Sequence, residues 1–150
     1  MRTKKVKLQV LQEITVEQQH KVAQPEDVME IMQKIIMLEP KEVQAQERIW
    51  AVLLGNSQMI KKVVLVAAGG FTECHVDLKV LLRDALINGC GRIILVHNHP
   101  SGDPMPSADD VNLTDRIKRG CQTVDIKLID HIIVGSDRFY SFARETPGIF

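Results

Sequence analysis

The sequence carries no excess of charge of either sign: 19 lysines and arginines balance 19 aspartates and glutamates. Zero net charge denies the chain the broad basic field that non-specific nucleic-acid binding relies on, and argues against a DNA-coating role. It also weakens repulsion between copies, so a homo-oligomer is an expectation. Cysteine is scarce. Cys74, Cys90 and Cys121 are odd in number and contain no C-x-x-C, which fits neither a disulfide framework nor a thiolate zinc site. They read as buried, reduced thiols of a cytoplasmic protein. Long hydrophobic runs are missing too: the longest uncharged apolar stretch, Val63 to Phe71, is too short to cross a bilayer, and the MRTKKVKLQVLQ start has no apolar h-region. Neither a membrane span nor an export signal is expected.

What is present suits one compact domain. Of 150 residues, 45% are apolar and 25% charged, with only six prolines and nine glycines, which excludes fibrous and low-complexity chains. A chain of this length buries roughly 70% of the surface its unfolded form exposes, so it needs no metal merely to fold. A metal here would serve chemistry. Val6, Leu8 and Val10 alternate with polar residues and predict an edge strand, which with a polar linker makes up residues 1–24. The main domain spans 25–150. It opens with Pro25, Glu26 and Asp27 ahead of apolar residues at 28, 31, 32, 35 and 36, the spacing of an amphipathic helix. Two apolar runs, Arg48 to Leu54 and Met59 to Ala68, flank Gly55-Asn56-Ser57 and predict a hairpin. Asp77 and Asn88-Gly89 bracket a second helix. Arg92 to His97 reads as a buried strand, Ser107 opens a third helix through Cys121, Ile126 to Val134 is a long strand and Phe139 to Phe142 a short one. The fold class is therefore α/β, a mixed sheet flanked by helices.

Chemistry concentrates in VHNHPSGDPMPSADD. His97 and His99 lie two apart at a strand end, where side chains share a face about 6.6 Å apart at Cα and two imidazoles can converge on one ion. A loop restricted by three prolines brings the chain round to Ser107, and Asp110 in the new helix can face back as a third ligand. Two histidines and a carboxylate around zinc leave the fourth corner open, as catalytic sites do. Set against this, Ser107 and Asp110 also fit a helix capping box. The capping box alone leaves unexplained why two histidines stand just before the loop that delivers it.

The pattern His97-x-His99, seven residues, Ser107-x-x-Asp110 resembles the JAMM signature of the JAB/MPN metalloprotease superfamily. The longer string HNHPSGDPMPSADD is similar to that of its RadC-like branch, long labelled as DNA repair proteins. The likeness runs from Pro25 to Phe142 and includes QPEDV, ERIWAVLLG, TDRIKRG and LIDHIIVG. It implies a cytidine-deaminase-like mixed sheet, one Zn²⁺ per chain held by His97, His99 and Asp110, a serine (Ser107) that supports the tetrahedral intermediate, and an upstream glutamate that handles the proton. Glu47, directly before ERIWAVLL, stands where the family places that glutamate. Glu39, Glu42 and Glu73 read instead as solvated surface charges. Relatives commonly show V-H-P-R-E before the second helix where this chain has Val76-Asp77-Leu78-Lys79-Val80, a departure in a segment that bears on substrate preference. The helix-hairpin-helix segment that often precedes the domain in relatives does not occur in these residues.

The implied activity is hydrolysis of an amide, in a peptide or isopeptide bond, with a peptide or protein as partner. The alternative is a binding module that keeps its zinc without hydrolysis, or an accessory in DNA repair, for which only the branch's label and Arg2, Lys4, Lys5 and Lys7 speak. A zinc deaminase is disfavoured because H-x-E and P-C-x-x-C are missing. Asp130 and His131 are adjacent on a strand, so at most one can approach the site, either to orient a ligand or as a hydrogen-bonded core residue. Trp50 is expected in the core, His20 and His75 on the surface. Arg116, Lys118 and Arg119 suit the end of the third helix, where cations favour the dipole.

Overall fold

A computed structural model describes residues 20–69 and 75–150. Helix α1 (Pro25–Leu38) is followed by a short α2 (Lys41–Gln44), the hairpin β1 (Arg48–Leu54) and β2 (Ile60–Ala68), α3 (Leu78–Ile87), β3 (Arg92–Asn98), α4 (Ala108–Thr123), β4 (Lys127–Val134), β5 (Phe139–Ser141) and α5 (Phe142–Glu145). A 3₁₀ turn, Pro147–Ile149, follows. The strands form one sheet in the order β2-β1-β3-β4-β5, in which β3 and β4 are parallel and every other pair is antiparallel. This is the mixed α/β architecture expected from the sequence.

Local chemistry accounts for the helix boundaries. Asp27 accepts from the N–H groups of Ala23 and Gln24 and so satisfies donors ahead of α1. Asp77 accepts from Lys79 N–H at the start of α3, and Gly89 adopts φ +61 just past its end. On one face of the sheet, Val28, Met32 and Ile35 of α1 pack on Trp50, Val52, Ile94, Val96 and Ile132. On the other, Leu81 and Ala85 of α3 and Ile117 and Cys121 of α4 cover Ile49, Ala51, Leu53, Ile93 and Leu95. Each fully buried Val, Leu, Ile or Met among them contributes about 1.5–3 kcal/mol, so both layers anchor the sheet. Trp50 is 3% exposed, as expected.

Two readings need correction. Glu39 is not a solvated charge: it caps α1 and pairs with Arg48 at 3.0 Å, both side chains mostly covered. Glu42 is exposed, as expected, and falls in α2, a one-turn helix too short to leave a periodic signal. Phe142 does not end the last strand but begins α5, because Ser141 Oγ accepts the Arg144 N–H and turns the chain. Cys90 and Cys121 are buried free thiols, and His75 is exposed while His20 is half-buried. The N-terminal strand over Val6 to Val10, together with Glu73 and Cys74, lies outside the described residues.

Candidate metal centre

Parallel strands β3 and β4 end side by side, and the site is built where β3 runs out. His97 is the last residue of β3 paired with β1, opposite Ile49. His99 N–H then donates to Val134 O, which swings the chain toward β4. The loop closes on itself when Gly102 N–H donates to His99 O and Ser136 N–H to Gly102 O. Gly102 sits at φ +89, and a Cβ there would collide with Ser136 Oγ; only glycine fits. Ser107 then caps α4: its Oγ accepts Asp110 N–H (3.1 Å) while Asp110 Oδ2 accepts Ser107 N–H (2.7 Å). The capping box and the convergence on the histidines are thus one arrangement. Reciprocal capping fixes the Asp110 rotamer, and that rotamer faces the imidazoles.

Four side chains from three segments meet here. His97 Nε2 lies 2.6 Å from Glu47 Oε1, and His99 Nε2 lies 3.8 Å from the same oxygen. Asp110 Oδ1 is 3.2 Å from His97 Nδ1, and its Oδ2 is 3.3 Å from His99 Nε2. Ligand atoms of Glu47, His97 and His99 all fall within 4.8 Å of one another. The tightest trio therefore contains Glu47, with Asp110 closing the cluster from the helix side. A cavity of about 420 Å³ opens beside it, lined by Gln46, Glu47, Gly69, His99, Ser101 and Ser107.

Proton counting tests whether a cation fits. Asp103 O can only accept, so His99 Nδ1 donates to it (2.8 Å) and the neutral ring presents a bare Nε2 to two carboxylates. His97 donates from Nε2 to Glu47, which leaves Nδ1 buried, bare and without a hydrogen-bond partner beside Asp110. Lone pairs facing carboxylates demand either an added proton or a cation. Accordingly, the hydrogen bond that a protonated His99 donates to Asp110 raises the His99 pKa against the opposing effect of burial. Burial pushes Asp110 up, but once the facing His97 and His99 nitrogens carry a proton their hydrogen bonds, with that from Ser107 N–H, outweigh it and hold the carboxyl well below the usual range. Two imidazoles and two anionic carboxylates with unsatisfied nitrogens are a donor set suited to zinc.

Thr114, which the sequence did not single out, and His131, which it did, support this cluster. Thr114, one turn after Asp110, donates to Asp110 O (2.7 Å), and its single proton is thereby used. His131 Nδ1 must then donate to Thr114 Oγ1 (2.7 Å), leaving Nε2 bare. The His131 ring is fully buried between His97 (centroids 5.8 Å apart) and Phe142 (5.0 Å), and burial depresses its pKa to about 3. His131 is thus the member of its pair that approaches the site. Asp130 points to the opposite face, as strand alternation requires. An i+4 spacing from Asp110 was the one available sign of Thr114.

The sheet and its polar end define an α/β domain with a candidate metal centre. The chain belongs to the RadC-like JAB domain family, whose match covers residues 22–147. Its relatives include UPF0758 proteins, a designation that assigns no activity. That of Coprothermobacter proteolyticus is 37% identical over 139 residues, covering 90% of this chain and 57% of the relative. That of Flavobacterium johnsoniae is 35% identical over 130 residues, covering 87% and 54%. That of Psychrobacter sp. (strain PRwf-1) is 40% identical over 105 residues, covering 69% and 46%. The chain thus spans about half the length of these curated relatives. Among the described residues no helix is long and apolar enough to cross a membrane.

Proposed function

We propose that the protein is a zinc-dependent hydrolase that cleaves an amide, in a peptide or isopeptide bond, with a peptide or protein as substrate and the cytoplasm as its compartment. The observation that carries this reading is the meeting of Glu47, His97, His99 and Asp110, with imidazole nitrogens left bare, beside an open cavity that Glu47 and His99 line. His97, His99 and Asp110 would hold the ion. When bound, zinc supplies Lewis acidity toward a carbonyl and makes hydroxide available near neutral pH.

The chain's own residues do the rest. Glu47 Oε1, at the cavity wall, accepts a proton from the attacking water as the C–O bond forms, and delivers it to the amine nitrogen as the C–N bond breaks. Ser107 Oγ already accepts from Asp110 N–H, so its own hydroxyl proton is free to donate to the developing oxyanion, a role whose loss typically costs about 10²-fold or more in rate. Neutral overall charge provides no field for a nucleic-acid partner.

Elemental analysis of protein purified without added metal tests the site, with near one zinc per chain expected. Asp110→Asn should lose stoichiometric zinc. Glu47→Gln should keep it while turnover in a peptide or isopeptide library falls by about 10²-fold or more. Full turnover in either variant would end the scheme.

A further inference from the structure

We infer that Asn98, the residue between the two histidines, is the positioning residue for Glu47; the inference rests on the reading of Glu47 as the proton carrier. Backbone pairing between β1 and β3 stops at Ile49 and His97. The next antiparallel pair would be Arg48 with Asn98, but there the β1 ladder has ended, and Asn98 keeps a main-chain partner only on the other side, Val134 of β4. Its side chain takes over the missing contact. Nδ2 donates to Gln46 O (2.9 Å), and Oδ1 accepts Arg48 N–H (2.7 Å). A carboxamide offers one acceptor and a donor in one plane, as a peptide group does, so it substitutes for a strand edge.

Those two bonds bracket Glu47. In a strand, residues 46 and 48 present their N–H and C=O groups to one side and residue 47 to the other. Glu47 O accordingly accepts Gly69 N–H (2.9 Å) from the β2 side. The main chain carrying the carboxylate is thereby tied from both neighbours at the point where the sheet opens into the cavity. Asn98 is 6% exposed and also lies between the histidines in sequence, so one residue sets the separation between Glu47 and His97 across a gap of 50 positions. Alanine would leave Gln46 O and Arg48 N–H without their partner. Aspartate would place an oxygen against Gln46 O.

The test uses ¹⁵N-labelled protein kept metal-free, and so is independent of both zinc and turnover. The signature is the His97 imidazole N–H that donates to Glu47 Oε1. Asn98→Ala should raise its solvent exchange at least about tenfold, because two hydrogen bonds that hold the Glu47 backbone are gone. A core variant on the opposite face with the same drop in Tm, Ile35→Ala, should leave it unchanged. An unaltered signal in Asn98→Ala, or an equal change in Ile35→Ala, would overturn the inference. Should Asn98→Ala not fold, the wild-type Arg48 N–H decides: protection within about tenfold of Val52 N–H supports the bracket, and exchange at the rate of an open chain overturns it.

Discussion

Asp130 and His131 are chain neighbours that occupy opposite faces of β4, and their surroundings differ in kind. The Asp130 carboxylate is fully engaged: Oδ1 accepts from His131 N–H (2.7 Å) and Ala143 N–H (2.9 Å), and Oδ2 from Ser141 Oγ (2.5 Å). The donors from Ser141 and Ala143 hold β5 and α5 against β4. On the other face, His131, His97 and Asp110 form a layer in which two buried nitrogens have no hydrogen-bond partner. A closed polar network contributes to folding, whereas an open one costs stability and is retained for binding. The contrast separates structural from chemical acids more sharply than exposure does, since Asp130 is 4% and Asp110 5% exposed.

Removing the closed network should have the largest effect on the fold and none on the metal. Asp130→Ala strands two buried N–H groups and a hydroxyl, and should lower stability by about 3 kcal/mol or more in urea titrations while zinc per folded molecule stays unchanged. Loss of zinc with an intact fold would erase the distinction between the two faces.

The open face predicts an acid response of intermediate size. His131 has a folded pKa of about 3, below its ordinary 6.5, so the unfolded chain takes up a proton that the native core refuses. The neutral ring's contribution is complete above pH 6.5 and drains away as pH falls toward about 3, amounting to on the order of 2 kcal/mol at pH 5. Asp130 works in the opposite direction: burial raises its pKa above 3.8, so protonation at low pH relieves the core. His131→Asn, whose side-chain amide can still donate to Thr114, should flatten the acid loss measured by denaturant midpoints of metal-free protein. An unchanged pH slope would remove His131 from the account.

Smallest is the loop. Gly102→Ala forces a side chain into φ +89 and should cost about 1–2 kcal/mol, read as a Tm shift of a few degrees. Because the loop follows His99, the same change should also weaken zinc retention in a chelator competition, whereas Gly148→Ala, with open space around its Cβ position, should do neither.

Much of this was legible in the residues. Helix α4, the hairpin and strands β3 and β4 follow from local periodicity and punctuation, and His97, His99 and Asp110 were marked by their spacing. The two readings of Ser107 and Asp110, cap or site, looked like rivals in the sequence; reciprocal hydrogen bonding makes them a single geometry. What escaped depended on pairing between distant segments. Asn98 gains its contacts only because β1 stops one residue short of it, Thr114 because His131 lies across from α4, and Glu39 because the chain returns Arg48 to the end of α1. No window along the chain contains those partners.

Residues 100–106 hang between β3 and α4, and they contribute Pro100 and Ser101 to the cavity wall but none of the four clustered side chains. Two consequences meet in that stretch. Its main chain is clamped where it leaves the sheet, and its exposed Met105 projects into solvent. Rewriting its exposed side chains, with Gly102 and the backbone contacts to His99 kept, would therefore reshape the rim of the cavity while the four clustered side chains beneath stay as they are.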